Sequence, residues 1–213
     1  VLIDLGKGQN RMGGSILVQT LEQSGDWVPD VVTMNNAHST HWTSNPDPRI
    51  PHVLKGWPEN GSPAFHELDL GGMLVRNVTT DTRGPFGEGA RADGNSIFVF
   101  EAGGLCIGHL GHLHQIPDDA QYASIGRLDV VMVPVDGGYT MDAATMGDVV
   151  RHLRPQLVLP MHWFSTAALA EFAGVMAKDY AIVQSPDADV IVERNVKTLD
   201  VLGHAGWAKL FAD

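Results

Sequence analysis

An α/β fold built as a mixed sandwich is what this chain predicts, and three observations predict it. Short extended runs separated by Gly, Pro and Asn turns fill the middle of the sequence, βαβ units follow from Leu128, and apolar strand-like runs end three times in histidines. Strands first and βαβ units afterwards place an antiparallel portion beside a parallel one in the same α/β architecture. The histidine groups are His38 and His41 after VVTM, His109, His112 and His114 after LCI, and His162 after LVLP.

In chain order, VLIDLG reads as a strand already under way at residue 1, which leaves room for a removed leader. Glycines at 6, 8, 13 and 14 lack the Lys-Ser/Thr of a phosphate-binding loop and miss the dinucleotide spacing, so they read as a turn into a helix over 15–23. DVVTM is the next strand. Between Pro51 and Phe100 the runs HVL, AFHEL, MLVRNV and SIFVF alternate with turns as an antiparallel meander does. Within it TTDTRGPFGEGARADGN is Gly-rich and charged and reads as a long loop, a connection or the border of a site. LDVVMVPV is a buried strand. The helix DAATMGDVVRHL places Met146, Val149, Val150 and Leu153 on one face before Pro155 ends it, and QLVLPMH is the next strand. Ser165 caps TAALAEFAGVMAK, whose Leu169, Phe172, Val175 and Met176 make a second apolar stripe. Strands AIV and DVIVER precede a C-terminal tail.

With 213 residues, 44% apolar and 18% charged, the chain is long enough for one sizeable core, so residues 1–213 are expected to form one domain. A formal charge of -11 argues against nucleic-acid and anionic-membrane partners, whose phosphates need clustered Lys and Arg. A small phosphorylated substrate stays allowed, because a metal ion can neutralise it locally. The single Cys106 excludes an internal disulfide and is expected buried and inert, with thiolate ligation as the lesser alternative. No run reaches the length of a membrane span, and a cytoplasmic location is expected.

Histidines recurring at strand ends point to a metal site. Neutral imidazole is the commonest metal ligand, a catalytic site needs several donors held rigidly from different segments, and open α/β sheets build their sites at the carboxyl ends of strands. A single histidine would more often be packed or surface-exposed. His52 and His66 read as structural, His152 as solvated on its helix, and His204 as a surface residue.

The blocks DVVTMNNAHSTHW, NSIFVFEAGGLCIGHLGHLHQ, IGRLDVVMVPVDGGYTMD and PQLVLPMHWF, in that order, resemble the metallo-β-lactamase-fold hydrolase superfamily, in its ascorbate-phosphate lactonase-like branch, from about residue 29 to 194. The resemblance implies an αβ/βα sandwich of two mixed sheets flanked by helices, with metal at the edge between them. Residues 1–28 and the tail 195–213 do not follow it. Residues 1–27 instead resemble a short segment of formylglycinamidine ribonucleotide amidotransferase, with no catalytic role attached.

The family's first motif, H-x-H-x-D-H, falls on Asn36, Ala37, His38, Ser39, Thr40 and His41, so two of its four ligand positions are altered. A further family histidine falls where the chain offers Thr79, Thr80 and Asp81. The bridging aspartate falls on His112 and the closing histidine on His162. Without an anionic bridge between two cations, a single ion is expected, Zn2+ with Mn2+ or Fe2+ as alternatives. Its ligands would be His38, His41, His112 and His162, with His109 as a ligand or a support behind them. Asp136 or Asp81 would orient an imidazole or serve as base, and Asp136 reads equally as a turn residue in D-G-G. Trp42, Tyr139 and Trp163 would wall a substrate pocket, or fill the core. The expected chemistry is attack on a small ester, lactone or phosphorylated metabolite by water whose pKa the metal has lowered towards about 7. The alternative is a non-catalytic protein of the same fold. An uncovered sheet edge would suit pairing with a second copy.

Overall fold

The computed structural model describes residues 2–3, 28–83, 89–183 and 200–202. A small sheet joins β1 (Leu2–Ile3), β2 (Val31–Met34) and β3 (His52–Lys55), all parallel, with β2 in the centre. The large sheet begins with β4 (Glu67–Asp69), β5 (Met73–Arg83), β6 (Ala90–Ala102) and β7 (Leu105–His109), each antiparallel to the next. It continues as a parallel half through β8 (Val130–Pro134) and β9 (Leu157–Met161) to β11 (Asp200–Leu202) and β10 (Ala181–Val183), giving the order β10-β11-β9-β8-β7-β6-β5-β4.

Three helices are described: α1 (Asp119–Ile125), α2 (Ala143–Leu153) and α3 (Thr166–Met176). Asp142 caps α2 by accepting from Thr145 N, and Ser165 caps α3 by accepting from Ala168 N, as its sequence predicts. Met146, Val149, Val150 and Leu153 of α2 share one core with Phe172 and Met176 of α3 and with Val131, Val133 and Val158 of the sheet. The opposite face of the large sheet presents Phe98 and Phe100 to Val31 and Leu54 of the small sheet. The outer face of the small sheet carries Val32 and Met34 under Ile50 and Trp57. Strand alternation explains this division: successive residues of β2 and β6 serve opposite faces.

Four differences from the sequence expectations have physical causes. β3 (the HVL run) lies parallel to β2 in the small sheet, not in the antiparallel meander, so among the described residues that sheet is purely parallel and not mixed. The expected loop from 79 to 95 is largely two long strand arms, β5 to Arg83 and β6 from Ala90, with a slip in register between Thr80 and Thr82. Those arms extend past the core, so their residues are polar and mimic a loop. α1 was not expected: its apolar content is low, and a capping box between Asp118 and Gln121 starts it. Cys106 is half-buried against the main core, not fully buried. The expected helix over 15–23, the strand DVIVER and His204 lie outside the described residues.

Candidate metal centre

β7, β8 and β9 run parallel, so their carboxyl ends share one edge of the large sheet, and the end of β2 is stitched to that edge. The stitching is polar and buried. Asn36 bridges to Asn95, Ser96 N donates to the Asn35 carbonyl (3.0 Å), and Asn35 Nδ2 donates to the Ser96 carbonyl (2.7 Å). From there the chain turns tightly, His41 N (2.8 Å) and Trp42 N (3.1 Å) both donating to the His38 carbonyl, which swings His41 back over the sheet edge.

After β7, Gly111 adopts φ +61° and lies against the asparagines, where a Cβ would stand 2.4 Å from Asn95 Oδ1 and 2.5 Å from Asn35 Nδ2. That bend brings His112 N within 2.7 Å of Asn95 Oδ1, while Asn95 Nδ2 donates to Thr80 Oγ1 (2.8 Å) and the Leu110 carbonyl (3.1 Å). After β9, His162 takes φ +53°, a left-handed conformation rare for non-glycine residues and characteristic of functional turns.

These three loops bring His41, His112 and His162 together. Ring centroids lie 5.4 Å apart for His41 and His112, 5.3 Å for His41 and His162, and 4.9 Å for His112 and His162. One ring nitrogen from each lies within 4.8 Å of the others. Three neutral imidazoles at this spacing suit a zinc-like divalent cation with a position left for water.

Asp136, in the turn after β8, fixes His162. Its Oδ2 accepts from His162 Nδ1 (2.9 Å) and Thr140 Oγ1 (2.6 Å), and its Oδ1 accepts from the backbone N–H groups of Gly138 (2.8 Å), Tyr139 and Thr140 (3.1 Å). The side chain is 1% exposed. Burial alone raises its pKa, but the donors from His162, Thr140 and Gly138 outweigh it and hold the carboxyl well below the usual carboxylate range. An ionised carboxylate only accepts, so the shared proton sits on His162 Nδ1 and Nε2 keeps its lone pair for a ligand.

The other predicted residues are placed differently. His38 is exposed, its ring 6.0 Å from that of His41, and its Nδ1 lies 2.7 Å from Thr40 Oγ1 and accepts from Thr40 N (3.4 Å). Burial, then repulsion from His41 and His162, lowers its pKa and favours the neutral ring. His109 is buried on β7, opposite Phe98, and is not among the three donors that converge. Asp81 also lies outside that trio, its Oδ1 accepting from Asp93 N (3.1 Å) across the β5–β6 hairpin. Trp42 packs on Trp57 at 5.6 Å beneath the small sheet, and Trp163 packs against the main core, each partly buried. Tyr139 is 63% exposed and stands edge-on to Phe164, which in turn lies edge-on to His162. Asn35, Asn95 and Phe164 are not singled out by the sequence. A cavity of about 310 Å³ between α1 and α2, lined by Tyr122 and His152, is on the helical face, away from the trio.

The beta-lactamase superfamily domain matches residues 10–162, and the chain belongs to that superfamily. The match takes in much of the N-terminal segment that departs from the resemblance drawn above. Relatives include a UPF0173 metal-dependent hydrolase of Methanoregula boonei, 24% identical over 187 residues, covering 81% of this chain and 83% of that protein. Another UPF0173 metal-dependent hydrolase, from Methanoculleus marisnigri, is 28% identical over 160 residues, 67% of this chain and 70% of the relative. Among solved structures, a proposed zinc-dependent hydrolase of the metallo-β-lactamase superfamily from Thermotoga maritima has a TM-score of 0.57 at 23% identity, covering 84% of this chain and 82% of that one. A metallo-β-lactamase fold protein of Bacillus subtilis reaches 0.52 at 10% identity, over 90% and 82%. The fold is therefore that of the metallo-β-lactamases.

Proposed function

We propose that the chain is a metal-dependent hydrolase of a small ester, lactone or phosphorylated metabolite, holding one divalent ion, preferably zinc, on His41, His112 and His162. The observation that carries this reading is the convergence of the three imidazoles with His162 locked by Asp136. An ion bound there supplies Lewis acidity and a water acidified for attack.

The protein's own part is positional. The Asn35–Asn95 seam sets the loops that carry His41 and His112, and Asp136 sets the ring plane and tautomer of His162. With its Oδ1 and Oδ2 already taken by five donors, Asp136 acts as a positioning residue and not as the base. His38, whose Nδ1 accepts from Thr40, keeps its proton on Nε2 and has a hydrogen bond to give a substrate oxygen at the mouth of the site. That role replaces the fourth-ligand role for it. An N–H donor there would suit the oxygen that gains charge as a carbonyl or phosphoryl group is attacked.

Elemental mass spectrometry before and after chelator dialysis tests the reading, followed by a screen of lactones, carboxylic esters and phosphoesters. About one zinc per chain, lost with chelator together with turnover, is the expected result. Protein that binds no metal would favour a non-catalytic role for the fold.

A further inference from the structure

Single exposed apolar side chains are ordinary, but two exposed aromatic rings stand in contact at the metal centre. Phe164 is 51% exposed two residues after His162, and Tyr139 is 63% exposed three residues after Asp136. Their rings meet edge-on at 5.8 Å, and Phe164 meets the His162 ring at 4.9 Å, so the pair forms an aromatic shelf continuous with the candidate ligand. The same loop also has a cation on it. Arg83, exposed at the end of β5, donates Nη1 to the Gly138 carbonyl, and no carboxylate forms an ion pair with it among the described residues. In a chain of net charge -11, a guanidinium that forms no ion pair among the described residues, on the loop that carries Tyr139, is a group that an anion would satisfy.

Resting on the hydrolase reading above, we propose that Phe164, Tyr139 and Arg83 form the substrate-recognition wall, and that it takes a flat apolar group bearing an oxyanion. The ring of such a substrate stacks on the shelf beside His162, and its carboxylate or phosphate reaches the Arg83 fork. Arg rather than Lys suits this position, because the planar fork meets two oxygens at once while one of its nitrogens stays anchored on Gly138. The reacting bond then falls on the side of the shelf that His162 occupies.

Calorimetric titration of the purified, metal-containing full chain tests this with phenylphosphonate, phenylacetate and methylphosphonate. Phenylphosphonate is expected to bind at least about tenfold more tightly than methylphosphonate, which has the anion without the ring. Arg83→Gln and Phe164→Ala are each expected to weaken it about tenfold at unchanged metal content and melting temperature, with Arg83→Lys intermediate. Phenylacetate read in parallel tells a carboxylate from a phosphate preference. Absence of binding to the parent chain, equal binding of methylphosphonate, or binding unmoved by both Arg83→Gln and Phe164→Ala would overturn the proposal. The hydrolysis of a neutral and a carboxylate-bearing aryl ester separates it from the reading beneath it. Arg83-dependent binding without turnover of any ester removes the hydrolase and keeps the wall, whereas equal turnover of both esters, unaffected by Arg83→Gln, removes the wall and keeps the hydrolase.

Discussion

Replacing Gly111 by alanine attacks the hinge on which the metal centre depends. At φ +61° an alanine loses about 1–2 kcal/mol by adopting the left-handed region. Its methyl carbon would stand 2.4 Å from Asn95 Oδ1, 2.5 Å from Asn35 Nδ2 and 2.8 Å from Asn35 Cβ, all of it fully buried surroundings that do not yield freely. Overpacking of this kind costs about 1–3 kcal/mol. Displacing Asn95 also breaks its bond to His112 N and leaves a buried polar group unsatisfied, roughly another 1–3 kcal/mol. The sum is about 3–8 kcal/mol, a large share of the roughly 5–15 kcal/mol that holds a domain together. At about 2–4 °C per kcal/mol for a chain of this size, the melting temperature should fall by at least about 6 °C. Gly103 provides the control: it has φ +58° with nothing within 4 Å of its added Cβ, so Gly103→Ala meets only the backbone term. Thermal melts and zinc stoichiometry of the two variants read the difference. Equal shifts for Gly111→Ala and Gly103→Ala, or full zinc retention by Gly111→Ala, would refute the seam as the support of the site.

Asp136→Asn keeps the shape but removes the charge that fixes His162, and metal affinity should drop about 10–100-fold, read by competition with a chromophoric chelator. His38→Ala should keep its zinc while turnover falls about 100-fold or more; loss of zinc instead would make His38 a ligand. Asp142→Ala removes the cap of α2 and should cost about 1 kcal/mol at neutral pH by denaturant titration. Hydrogen bonds from Thr145 depress the Asp142 pKa, so the folded value lies below the unfolded one near 3.9. The capping contribution is therefore complete above about pH 4, and the gap between parent and variant should close as pH falls through the folded pKa.

What the sequence displayed was the part of the site written in local pattern. Each of His41, His112 and His162 follows an apolar strand; β7 and β9 end on one edge of the large sheet, while β2, in the small sheet, reaches that edge through the asparagine seam. The helices α2 and α3 were equally legible, since their stripes and caps lie within one short segment. The rest depended on distant partners. Asn35 works through Ser96, and His112 through Asn95, so neither asparagine differs locally from an ordinary turn residue. The β5–β6 arms were hidden because they leave the core and lose its apolar alternation. Trp42 and Trp163 adjoin ligand histidines in sequence, but the apolar partners they meet, Trp57 and the main core, are distant in the chain or shared with other elements.

The altered ligand positions have an electrostatic consequence that joins the centre to its surroundings. Imidazoles bring no charge, so a divalent ion on His41, His112 and His162 keeps its full +2, and Asp136, which lies behind the ring of His162, offsets it only at a distance. With an aspartate bridge the site would be closer to neutral and indifferent to substrate charge. On the proposed reading, an ion on the trio and the Arg83 guanidinium on the Gly138 carbonyl would both attract an anion, with the Asp136 carboxylate, bonded to His162 and to Gly138 N, offsetting part of that field. The rest of a chain of charge -11 repels anions, so an anionic substrate would gain from both of these positive groups. Association should therefore slow as salt is raised, and Arg83→Gln should flatten that dependence; a rate constant for an anionic aryl ester that ignores ionic strength between about 0.01 and 0.15 M would contradict it.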